Sequence, residues 1–149
     1  MNHDIKPGIK HVFRHKINKS LTVPCLLPDS PEFQIMPKVL ATGYMVGLIE
    51  WACIQAINPF LDWPHEQTVG THINISHLAA TPPHLEIEVR VNLVSVERRK
   101  LLFEIQANDN FDLIGKGTHE RFIIHSEKFN KKAAQKTNQL INIWIHFET

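Results

Sequence analysis

The sequence predicts an α+β protein in which an antiparallel sheet of about five strands wraps around one central, buried helix. Two observations carry that prediction. The stretch ATGYMVGLIEWACIQAI, residues 41–57, is apolar on nearly every face once wound into a helix, and such a helix must be enclosed. In THINISHL (71–78) and LEIEVRVNLVSVE (85–97) apolar residues instead recur at every second position, the period of a strand with one buried face.

The elements follow in order. HVFRHKI (11–17) is a candidate first strand. Pro24, Pro28, Pro31 and Pro37 keep 20–40 extended and looping, apart from a short helical turn at PEFQIM (31–36). Thr42 is the candidate N-cap of the long helix, Gly43 to Ile57, and Asn58-Pro59 ends it. A polar loop, 62–67, leads to THINISHL, which places Ile73, Ile75 and His77 on one strand face and His72, Asn74 and Ser76 on the other. LEIEVRVNLVSVE (85–97) sets Leu85, Ile87, Val89, Val91 and Leu93 against Glu86, Glu88, Arg90 and Asn92. LLFEIQA (101–107) follows, closed by a turn at NDN (108–110), and a last long strand runs from Asp112 to His125. SEKFNKKAAQK (126–136) reads as a surface helix capped by Ser126, and INIWIHF (141–147) alternates like a strand. Hairpin-sized connections make neighbouring strands antiparallel. One apolar sheet face filled by one apolar helix is the hot-dog architecture, and the lack of a polar stripe on the helix implies a second copy against it.

Composition narrows the function classes. The chain of 149 residues has room for one domain and one core. A net charge of +1 and a charged fraction of 21% argue against nucleic acid or a membrane surface as partner. Two distant cysteines, Cys25 and Cys53, make neither a disulfide framework nor a zinc site and fit a reducing cytoplasm. The polar N-terminus MNHDIKPGIK is unlike a signal peptide, and Glu50 interrupts the longest apolar run.

Four stretches then stand out: PDSPEF (28–33), ATGYMVGLIEWAC (41–53), VGTHINISHLAATPP (69–83) and IGKGTHERFIIHSEKFN (114–130). In this order they resemble the fluoroacetyl-CoA thioesterase-like family of hot-dog thioesterases, over about Pro28 to Lys132. The resemblance implies an acyl-CoA thioesterase whose catalytic set is Thr42, Glu50 and His77, with Gly70 lining the site. It also implies a lid, where the family has two phenylalanines and this chain has Phe33 and Met36. That departure predicts weak discrimination for a fluorinated acetyl group. The tail after about Asn138 has no counterpart in the family, so the expected organisation is a thioesterase domain over 1–137 and an extension over 138–149.

The residues support that chemistry independently. A carboxylate at the centre of an apolar helix costs several kcal/mol unless paired, so Glu50 is either a buried ion pair or a working acid. Thr42 at a helix start is ordinarily a cap, yet the free N–H groups of Gly43, Tyr44 and Met45 beside it could hold an oxyanion. His77, on the strand face that meets the helix, is ordinarily a core residue. Together the three supply a nucleophile, a base and an orienting acid. Glu50 as nucleophile or direct base is the rival assignment. Thr42 and Glu50 are eight positions apart, about 12 Å along a straight helix, so a homodimer with active sites at the interface is expected. Trp51 and Tyr44 are further candidates for shaping the acyl pocket.

Other signals are weaker. His72 and His77 fall on opposite faces and cannot share a metal. His119-Glu120 lacks the second histidine of a zinc-protease motif. Arg98, Arg99 and Lys100 read as a solvated turn that could alternatively meet CoA phosphates. No metal and no cofactor is expected. The alternative function is a non-catalytic acyl-CoA binding or sensing protein on the same fold.

Overall fold

The computed structural model describes residues 4–148; Met1 to His3 of the polar N-terminus and Thr149 of the tail lie outside the described residues. Five strands, β1 (Lys10–Lys16), β2 (Glu66–His77), β3 (Glu86–Glu97), β4 (Lys100–Asn108) and β5 (Leu113–His125), form one sheet in the order β1-β3-β4-β5-β2. Every neighbouring pair is antiparallel. The long helix α3 (Thr42–Ile57) packs on the sheet, preceded by two short helices, α1 (Val23–Leu26) and α2 (Pro31–Gln34). This is the predicted fold class.

The period-two pattern works as expected in the central strands. Ile87, Val89, Val91 and Leu93 of β3 and Leu101, Phe103, Ile105 and Ala107 of β4 are buried against α3. The helix answers with Met45, Leu48, Ile49, Ala52, Cys53, Ala56 and Ile57, an i, i+3, i+4 stripe. The expectation of a helix enclosed on all sides is corrected for the single chain. Thr42, Gly43, Gly47 and Trp51 are exposed, and Val46 and Glu50 are half-buried. Val46 and Glu50 look past β2, the edge strand on their side, whose residues Gly70 to Asn74 are exposed too.

Two further expectations change. Ala41, not Thr42, is the N-cap of α3, and no side chain caps the helix. The predicted tail strand is instead helical: α4 runs unbroken from Ser126 to Phe147, capped at His125 rather than Ser126. The alternation of INIWIHF is equally compatible with a helix apolar on most sides, so the pattern by itself does not separate strand from helix.

Candidate active site

Thr42 and His77 meet. The Thr42 Oγ1 lies 2.8 Å from His77 Nδ1. The contact exists because Thr42 is the first residue of α3 rather than its cap, which leaves its hydroxyl free of the helix backbone. His77 ends β2, on the inner face beside Gly115 of β5. Burial pushes the imidazole below the ordinary histidine pKa, and the Ala79 backbone pulls the other way, so the ring is neutral at neutral pH. The N–H of Met45 closes the first helical turn on Ala41 at 2.9 Å and is not available to a ligand. The donors left at the helix tip are those of Thr42, Gly43 and Tyr44.

Glu50 lies elsewhere. Within the chain its partner is Arg121, whose Nη1 donates to Glu50 Oε1 at 3.0 Å. The Glu50 side chain is 40% exposed and that of Arg121 only 3%. The rest of the guanidinium fork is occupied as well. Nε donates to Thr68 Oγ1 at 2.8 Å, Nη2 to the Thr68 carbonyl at 2.7 Å, and Nη1 also to His119 Nε2 at 3.0 Å. A ring nitrogen that accepts from arginine carries no proton, so His119 Nδ1–H is the donor to the His72 carbonyl, at 2.8 Å. Burial is the largest cause holding the His119 pKa below its ordinary value; the His72 carbonyl opposes it and the Arg121 charge adds to it.

Gly70 completes this group through a β-bulge. The register of β2 against β5 shifts between Gly70 and His72. The shift puts Gly70 on the same inner face as Ile73, Ile75 and His77, opposite Arg121. A Cβ there would stand 2.7 Å from Glu50 Oε1 and 3.2 Å from His119 Cε1. Glycine therefore lets the carboxylate reach the strand backbone. Val46, Glu50, Gly70, Thr71, Ile73 and His119 line an open cavity of about 420 Å³.

Arg121 and His119 were missed as site residues by sequence reasoning. Their signal was present: in THERFII they share strand parity with the buried Ile123. A cation on a buried face demands an anion, and Glu50 was the unpaired carboxylate.

Phe33 is half-buried on α2, which Ser30 caps by accepting from the Phe33 N–H at 3.1 Å. Met36 follows it and is exposed. Both sit on the α1–α2 segment, and α1 packs on α3. Tyr44 helps tie that segment down by donating to the Cys25 carbonyl at 3.1 Å. Trp51 is not in this region; its ring packs on Phe13 and His15 of β1. Cys25 is exposed, whereas burial pushes the Cys53 thiol up to about 12.

An antiparallel sheet on a long helix, with a hydroxyl–imidazole pair at the helix tip, defines the class: a thioester hydrolase on the hot-dog fold. A Thermus thermophilus protein described as a thioesterase superfamily member superposes with a TM-score of 0.82 at 25% identity, covering 94% of this chain and 98% of that chain. The model of the fluoroacetyl-CoA-specific thioesterases (FlK) matches residues 29–127. The fluoroacetyl-CoA thioesterase of Streptantibioticus cattleyicolor is 54% identical over 116 residues, 78% of this chain and 83% of that protein. The T42A variant of FlK in complex with fluoroacetate superposes with a TM-score of 0.86 at 47% identity, covering 89% of this chain and 98% of that chain. The chain belongs to the fluoroacetyl-CoA thioesterase family.

Proposed function

We propose that Thr42 and His77 hydrolyse the thioester of a small acyl-CoA to the free acid and CoA, with Glu50 as the third member of the set. The observation that carries this reading is the 2.8 Å contact between Thr42 Oγ1 and His77 Nδ1 at an uncapped helix tip. With Nδ1 as acceptor, His77 takes the Thr42 proton as Oγ1 attacks the thioester carbonyl. The N–H groups of Gly43 and Tyr44 face the oxyanion. The C–S bond breaks, and CoA leaves as a thiolate that recovers the proton from the imidazolium. Water then attacks the acyl-threonine with His77 again as base, and Thr42 regains its proton. Glu50, with one oxygen held by Arg121, uses the other to position or activate that water.

The test is a series of Thr42→Ala, His77→Ala and Glu50→Gln with acyl-enzyme trapping. Acyl found on residue 42 is expected; full turnover by Thr42→Ala would sink the assignment. For the substrate, the exposed Met36 supports weak preference between fluoroacetyl- and acetyl-CoA. Met36→Phe should sharpen that preference, read as a ratio of kcat/KM values.

The working unit in this reading is a homodimer joined along β2. Within one chain Thr42 and Glu50 stand about 12 Å apart along α3. His77 and Gly70 are about 20 Å apart along β2. The open edge of β2 and the open face of α3 offer the surface for a second copy. A twofold axis between Ile73 and Asn74 would set His77 of one copy opposite Gly70 of the other, and so bring Thr42 and Glu50 together from different subunits. Mixing inactive Thr42→Ala and Glu50→Gln copies in equal amounts should restore about a quarter of the activity, because half the dimers are mixed and each has one intact site. No recovery after subunit exchange would place both residues in one chain's site. The two unpaired thiols support a cytoplasmic location, which recovery of the protein in a secreted fraction would refute.

A further inference from the structure

The second half of α4 is an apolar surface without support from the body of the protein. Leu140, Ile141, Ile143, Trp144 and Phe147 are each at least half exposed, Trp144 at 62% and Phe147 at 84%. Polar residues are confined to one stripe, Asn138, Gln139, Asn142 and His146. So wide an apolar arc on a helix marks a buried position, and contiguous exposed patches of this kind mark interaction sites. The family match ends at residue 127, at the start of α4. This surface is therefore additional to the part of the chain that carries the family resemblance.

The same chain carries an apolar receptor. On the outer face of the sheet, Val69, Phe122 and Ile124 form a groove with Phe129 and Ala133 of the first turns of α4, a cavity of about 460 Å³. The lysines Lys132 and Lys136 form its rim. A chain cannot fill its own groove. One wall of the groove is α4 itself, and the unbroken helix carries Leu140 about 16 Å along the axis from Phe129.

We infer that Leu140–Phe147 of one copy occupies the outer-face groove of a second copy. Charge supports this occupant. Among residues 138–148 the one charged side chain is Glu148, which sits at the negative end of the helix. In the groove it meets Lys132 and Lys136. A lipid surface fits less well, because the helix lysines (128, 131, 132 and 136) all lie in the first half. Glu148 would be repelled by anionic headgroups. The inference does not depend on the thioesterase mechanism or on pairing along β2.

The test uses the full chain with a benzophenone amino acid at position 144, mixed with isotope-labelled copies. Irradiation should join residue 144 to peptides containing 69–71, 122–124 or 129–136 of the other copy, while thioester turnover stays unchanged. Leu140→Glu/Trp144→Glu should raise the midpoint concentration of assembly in sedimentation at least about tenfold. Crosslinks within one copy, crosslinks to other surfaces, or an unchanged assembly midpoint would overturn the inference. Capture by phosphatidylserine vesicles without crosslinking between copies would overturn it in favour of a lipid surface.

Discussion

The N-terminal end and the centre of α3 treat their polar groups in opposite ways. At the N-terminal end, Thr42 is exposed and makes a hydrogen bond to a single side chain, His77. At the centre, Glu50 joins a cluster in which Arg121 makes four hydrogen bonds, to Thr68, His119 and the carboxylate itself. The first arrangement holds little of the fold together and leaves its atoms free to react. The second is part of the core, so its charges are costly to disturb. Substitutions at the two places should therefore separate turnover from stability.

The sharpest break of that contrast is Thr42→Ala. It should lower kcat by about 10³-fold or more, since nucleophile and base are lost as a unit. Because the hydroxyl caps nothing, the urea midpoint should move by less than about 0.5 kcal/mol equivalent. A large stability loss there would erase the distinction. Next comes Arg121→Met, expected to cost about 3 kcal/mol in urea unfolding, the low end for a broken buried pair because Glu50 is partly solvated. Gly70→Ala should follow, with its Cβ displacing the Glu50 carboxylate. Turnover should fall about 10²-fold, the scale of an ångström of misplacement. A crystal structure of that variant with Glu50 unmoved would refute the close-approach argument.

The smallest effect is on pH. Both His77 and His119 have folded-state pKa values below the ordinary 6.5. The folded state thus binds fewer protons than the unfolded one. Their contribution to stability is complete above 6.5 and is lost as pH falls from there through the folded-state values. For His77 the same shift keeps the base unprotonated, so kcat/KM should hold to a lower pH than an ordinary histidine permits. His119→Asn should relieve part of the acid sensitivity of unfolding while leaving the acid limb of kcat/KM in place.

The sheet and its helix were legible because long amphipathic patterns dominate their local choices. Ile87 to Leu93 and Met45 to Ile57 report their burial through spacing alone. Thr42 and His77 were legible as residue types in matching motifs, but their contact depended on the cap falling at Ala41. That one-residue shift lies below what spacing resolves. Parity carried Ile73, Ile75 and His77 correctly. It could not place Gly70 with them, because the bulge at Thr71 changes the count by one. The tail failed for a different reason. Its apolar residues are so dense that strand and helix patterns both fit, and spacing does not choose between them.

The exposed cysteine of α1, Cys25, has a practical consequence. CoA release is commonly read with a thiol reagent, and the protein brings an exposed thiol of its own. Cys25 is exposed, whereas Cys53 is buried and held protonated. Each chain would then consume one equivalent of reagent at the moment of mixing. A stoichiometric burst of that size is also what accumulation of an acyl-threonine would produce. Cys25→Ser removes the first signal and leaves the second, so the two sources of an identical trace can be told apart.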